Sequence, residues 1–136
     1  MQKRTIALLA LSTIILLQAS IRAATHGSTL ANGTWGGEHL ILEVSEKGAE
    51  AEFDCARGQV TQRITLDKHG DFDVAGTFTP EHGGPVRRDE NTPPTPVRYS
   101  GHVASDTMSL VIIRGEEKLG SFTLAHGAHP MLRKCR

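Results

Sequence analysis

Apolar and polar residues alternate with a period of two through most of the chain, and no stretch after residue 24 shows helical periodicity. Leu40, Leu42 and Val44 share one face of a run over 39–46, against Ile41, Glu43 and Ser45. After a turn at Lys47-Gly48, Ala49, Ala51, Phe53 and Cys55 alternate with Glu50, Glu52 and Asp54. After Gly58, Val60, Ile64 and Leu66 alternate with Thr61, Arg63 and Thr65. Asp67-Lys68-His69-Gly70 turns the chain into Phe72, Val74, Gly76 and Phe78. Strands resume with Val97, Tyr99, Gly101 and Val103, then Met108, Leu110 and Ile112, then Phe122 and Leu124. A last piece is expected over 131–135. Gln62, Ser121 and Thr123 interrupt the pattern, either as inward polar side chains or as shifts of register.

About eight short strands joined by tight turns predict an all-β fold, a small antiparallel up-and-down barrel. A two-sheet sandwich is the competing architecture, but short sequential hairpins favour a meander over Greek-key crossings. The one long connection is 80–96, PEHGGPVRRDENTPPTP, with five of the six prolines. Loops of this length are uncommon in compact domains and are often functional.

The N-terminus changes the picture of where the domain begins. Met1-Gln2-Lys3-Arg4 is a positive leader, followed by an apolar run of about 15 residues, 5–19, and by small residues at Ala23-Ala24. This is the pattern of a signal peptide, 1–23, cut after Ala23. The run is short of the ~20 apolar residues that span a bilayer, so the expectation is a periplasmic or secreted protein with no membrane attachment after cleavage. Residues 24–32 then form a flexible lead-in and 33–136 a single domain.

Removing Lys3, Arg4 and Arg22 leaves 12 basic residues against 15 acidic ones, a mature charge of −3. No basic stripe suits a phosphate backbone, so nucleic acid is not an expected partner. Cys55 and Cys135 both lie in the exported part, where an oxidising compartment makes a disulfide the default reading. A pair of free thiols is the alternative.

The stretch 33–46, GTWGGEHLILEVSE, opens the domain with the single Trp. Its Gly33-Thr34-Trp35, the β meander and the Cys near the C-terminus resemble the calycin group, lipocalins and avidins. The resemblance implies a barrel with the Trp plugging one end, and Arg133 as the nearest equivalent of an Arg that lies over it. Small inward residues (Ala49, Ala51, Gly76, Gly101) either leave a cavity or let the walls approach. The chain is also similar to small exported bacterial proteins.

An up-and-down order gathers strand ends, so Trp35, Glu38, His39, Asp54, Glu81, His82, Arg98 and Tyr99 are expected at one rim, with Cys55, Cys135 and the 80–96 loop. The Glu38-His39 and Glu81-His82 pairs could ligate a divalent metal or supply an acid and a base. Solvated rim side chains are the commoner use. Neither HExxH nor GxSxG is present, and no metal or other cofactor is expected. Gly36-Gly37 and Gly83-Gly84 read as turn glycines. Arg87-Arg88 reads as a solvated loop tip or a contact for a partner.

The leading expectation is an exported, monomeric binding module that recognises a small ligand or envelope component at the Trp35 rim. The alternatives are a protein-interaction or inhibitor role through the 80–96 loop, and an enzyme using the Glu-His pairs.

Overall fold

The computed structural model describes residues 27–133 and residue 135, so the expected signal peptide lies outside the described residues. Eight strands follow in chain order: β1 (Gly33–Gly37), β2 (Leu40–Ser45), β3 (Gly48–Phe53), β4 (Ala56–Val60), β5 (Asp71–Pro80), β6 (Thr95–Ala104), β7 (Thr107–Arg114) and β8 (Glu117–His126). Each pairs antiparallel with the next, and β8 returns to β1 with Trp35 opposite His126 and Gly37 opposite Leu124. The sheet is a closed barrel, which leaves no unpaired strand edge. The architecture is compatible with a calycin-like fold.

Alternation builds the interior. Leu40, Leu42 and Val44 of β2 face Phe53, Ala51 and Ala49 of β3 across the ladder, so large and small side chains complement each other. Phe72, Val74, Val97, Met108, Leu110, Ile112 and Leu124 complete the core. The small inward residues do not leave a lumen beside Tyr99. A Cβ on Gly58 would lie 1.9 Å from the Tyr99 hydroxyl, and one on Gly76 would lie 2.6 Å from its ring. The Tyr99 hydroxyl donates to the Thr77 carbonyl at 2.7 Å. These glycines are where the ring passes.

The expected number of strands stands, but two assignments change. Residues 33–37, placed in the domain but ahead of its first expected strand, are themselves β1; the expected strand over 131–135 is reduced to one parallel bridge, Glu38 with Met131. Gly36 and Gly37 are strand residues rather than turn residues. Their missing Cβ atoms admit the Ala128 carbonyl, 2.2 Å from a Cβ at Gly36, and the Thr123 carbonyl, 2.3 Å from one at Gly37. Likewise β4 runs through Gly58, after which the strand was expected to begin, and ends at Val60. Ile64 is buried because it turns inward against Leu30, not because a strand continues. Ser121 and Thr123 face outward, with a register shift at Ile112/Ile113 on the facing strand.

One end of the barrel is closed. Leu30 donates its amide to Ile64 O at 3.0 Å, Leu66 donates to Ser28 O at 2.7 Å, and Thr29 bridges Thr65. Part of the expected lead-in is thus hydrogen-bonded into the fold, with Leu30 buried. Trp35 lies beneath this cover: its Nε1 donates to Ala31 O at 3.0 Å and its ring centroid is 4.8 Å from that of His126. The Asp67 turn completes the same end, its Oδ1 accepting the amides of His69 at 2.7 Å and Asp71 at 3.0 Å. Those amides hold the Asp67 carboxyl below its ordinary range, Asp71 contributing most.

Candidate functional site

The opposite end is open. There Phe53, the last inward residue of β3, meets Phe78 of β5 with ring centroids 5.2 Å apart and edge to face. Phe122 of β8 approaches it from the other side at 5.5 Å. With Ile112, Leu119 and Ala56 these rings enclose a cavity of about 230 Å³, and His39, Asp54 and Cys55 stand at its lip. Cavities that hold drug-sized molecules run to about 300–1,000 Å³; this one suits something smaller.

A strap made from the C-terminal tail fixes the polar lip. Met131 donates its amide to Gly37 O at 3.0 Å and its carbonyl accepts the His39 amide at 2.9 Å. Farther along, the Arg133 amide donates to Asp54 Oδ1 at 2.6 Å. The Cys55–Cys135 disulfide then ties the tail to the end of the β3–β4 turn, with Cα atoms 5.3 Å apart. The expected pairing of the two cysteines is present.

His39 occupies a left-handed backbone conformation, φ 69°, in the two-residue turn between β1 and β2. A non-glycine residue adopts this at a cost. It is held by the Met131 contact and by its ring, whose Nδ1 lies 2.5 Å from Asp54 Oδ2. Asp54 accepts on both oxygens, and its carboxyl is held below the ordinary range, first by the Arg133 amide and then, against the opposing effect of burial, by His39. An ionised Asp54 is an acceptor only, so His39 Nδ1 carries a proton and donates it to Oδ2.

The eight residues expected at one rim divide into three groups. Glu38, His39, Asp54, Glu81 and His82 do belong to this end, through the β1–β2 turn, the β3–β4 turn and the start of the long loop. Their partners differ from the adjacent Glu-His pairing. His39 bonds Asp54, Glu81 lies 3.7 Å from Arg57, and His82 clasps Glu90 across the loop. Trp35 and Tyr99 are core residues, each about 1% exposed, with their polar tips satisfied inside the protein. Burial pushes the Tyr99 phenol well above its ordinary pKa. Arg98 faces outward on β6 and pairs with Asp73 at 2.6 Å. Because β6 begins at Thr95, both Arg98 and Tyr99 lie well inside the strand rather than at its start.

The aromatic cup itself was not singled out in the sequence. Its signal is there: Phe53 and Phe78 are the last inward residues before the rim of the strands that bear them. Among the described residues, no group of three or more His, Cys, Asp or Glu side chains converges to hold a metal ion. Comparison with protein-family models, curated proteins and solved structures finds no match to this chain.

Proposed function

We propose that this chain is an exported binding module that holds a small, largely apolar ligand in the open mouth of its barrel. The observation that carries this reading is the cavity of about 230 Å³ bounded by Phe53, Phe78 and Phe122, open to solvent while the opposite end is covered. Leaving such side chains unpacked at a mouth forgoes hydrophobic burial that a filled core would gain. An apolar occupant recovers it, and the His39–Asp54 pair at the lip supplies the few polar atoms that orient a ligand. The site thus moves from Trp35, whose ring packs beneath the closed end, to Phe53. An adjacent Glu-His acid–base pair has no support in the observed partners. Native mass spectrometry on untagged protein from its own exported fraction tests the reading. A small-molecule mass adduct is expected on the parent protein and should be absent from a Leu119→Trp variant, in which the indole fills the cup. An adduct that survives in that variant, or a bare mass in the parent, counts against the mouth.

One observation favours a second reading, an interaction role for the long loop. Val86 is 71% exposed beside Arg87 and Arg88, and the segment is braced by the His82–Glu90 clasp and by Glu90 N donating to Arg87 O at 3.1 Å. A braced loop loses less entropy on docking. Removing 85–92 with the fold intact should then abolish capture of a partner that the parent protein retains.

A further inference from the structure

The wall of the mouth formed by β8 is built in a way that limits what can enter. Its ladder to β7 shifts by one residue: Ile112 pairs with Gly120, whereas Ile113 pairs with Lys118. Leu119 is therefore the extra residue of a β-bulge, and such a shift changes which side chains face inward beyond it. In an unbroken ladder Lys118 would lie opposite Arg114 on the inward side. With the bulge, Lys118 lies opposite Ile113 and is exposed, while Leu119 joins the apolar lining of the cavity. Gly120, opposite the fully buried Ile112, faces the interior. Its φ is not positive, so backbone conformation does not call for a glycine there. The neighbouring ring does. A Cβ on Gly120 would lie 2.8 Å from two carbons of the Phe122 ring, so this ring rests against bare backbone. A side chain at 120 would point inward and drive the ring off the wall toward Phe53, whose centroid is 5.5 Å away. That displacement is into the cavity.

We propose that the mouth takes apolar groups no bulkier than one substituted six-membered ring, and that Gly120 sets this limit by letting Phe122 lie flat along the wall. An apolar cavity of about 150 Å³ holds benzene, and drug-sized ligands need about 300 Å³ or more. The mouth, at about 230 Å³, falls between them. Gly120 is a positioning residue that acts through Phe122, and the bulge at Leu119 keeps the charge of Lys118 out of the same wall. The inference rests on the mouth being a ligand site and adds its size limit and the residue that sets it.

Ligand-observed ¹⁹F NMR on the untagged protein, with fluorobenzene and 1-fluoronaphthalene as probes, separates the two claims. Apolar area alone favours the larger probe, so a preference for the smaller one requires a steric limit. The parent protein is expected to bind fluorobenzene about tenfold tighter than 1-fluoronaphthalene. Phe122→Ala removes the ring from the wall and should bring the two-ring probe to at least the affinity of the one-ring probe. Gly120→Ala should weaken fluorobenzene about tenfold by pushing Phe122 into the cavity. Adding Phe122→Ala to that variant should restore binding, a rescue that a merely structural role for Gly120 would not produce. Equal or tighter binding of 1-fluoronaphthalene by the parent overturns the size limit and leaves the mouth as a site. Unchanged fluorobenzene binding in Gly120→Ala, or no rescue in the double variant, overturns the role of Gly120. Failure of both probes to bind the parent and Phe122→Ala overturns the mouth reading as well.

Discussion

Filling of the barrel by Tyr99 is what places any ligand at the mouth rather than in a lumen, and it can be tested by a double-mutant cycle. In Gly58→Ala the new Cβ would fall 1.9 Å from the Tyr99 hydroxyl and 2.6 Å from the Thr77 carbonyl. The hydroxyl cannot swing away cheaply, because Tyr99 is about 1% exposed and bonded to Thr77 O at 2.7 Å. Overpacking of a close-packed interior costs about 1–3 kcal/mol, and a contact this short belongs at the upper end, about 3 kcal/mol. Tyr99→Phe removes one hydrogen bond and should cost about 1 kcal/mol. If the two effects were independent, the double variant would lose about 4 kcal/mol. Removing the hydroxyl also removes the closest contact, so the expected loss is about 2.5 kcal/mol, the remainder coming from the Thr77 carbonyl. The coupling is then about 1.5 kcal/mol in favour of the pair, within the range seen for residues in contact. Urea unfolding followed by the fluorescence of the single Trp35 reads all four corners of the cycle. An uncoupled cycle, or a Gly58→Ala variant as stable as the parent, would show that the ring does not lie against Gly58.

Three further outcomes follow from the mouth and its strap. Replacing both Cys55 and Cys135 by Ser opens a loop spanning a separation of 80 residues, and the chain-entropy relation gives a loss of about 4–5 kcal/mol; thermal melts with and without reductant should show the same difference in the parent and none in the variant. Asp54 has a folded pKa below its unfolded value, so its contribution is present above the ordinary carboxylate range and lost as pH falls through the folded pKa; hydrogen exchange at the Arg133 amide should accelerate relative to the barrel strands on acidification, and Asp54→Asn should remove that acid-dependent step. His82 has a raised pKa, because Gly83 O and then Glu90 favour its charged form. Its clasp is fully present below the unfolded histidine value and weakens as pH rises through the higher folded one. Trypsin cleavage at Arg87 or Arg88, corrected for the enzyme's own pH profile, should therefore rise across that interval in the parent and stay flat in His82→Gln.

The parts of the fold that were legible in the sequence are those where one face is buried. The alternation in β2, β3, β5, β6 and β7 follows directly from Leu40 to Val44, Ala49 to Phe53, and their counterparts, because a slip of one residue would expose the core set. β1 was hidden because its glycines read as a turn, while their real reason is carbonyls that approach from the tail and from β8. The β4 boundary failed at Gly58 for a related reason: the residue that demands the glycine, Tyr99, is 41 positions away and its placement depends on the closed barrel. Up-and-down topology was enough to bring Glu38, His39, Asp54, Cys55, Glu81 and His82 to one end. It could not assign their partners, which depend on where the tail strap and the loop put Asp54 and Glu90. Trp35 and Tyr99 were expected at the rim because strand starts were placed at Glu38 and at Arg98-Tyr99; β1 and β6 begin at Gly33 and Thr95, so both rings lie inside the barrel with their polar tips bonded to the Ala31 and Thr77 carbonyls.

The measurement that bears most directly on the mouth is an aromatic ¹H–¹³C spectrum of protein labelled at phenylalanine and tryptophan, titrated with a neutral apolar probe such as toluene. The four phenylalanines and Trp35 act as internal reporters of place. Binding at the mouth should shift Phe53, Phe78 and Phe122 together, with one common dissociation constant, and leave Phe72 and Trp35 unmoved. Shifts centred on Trp35, or no saturable shift at any ring, would contradict the account.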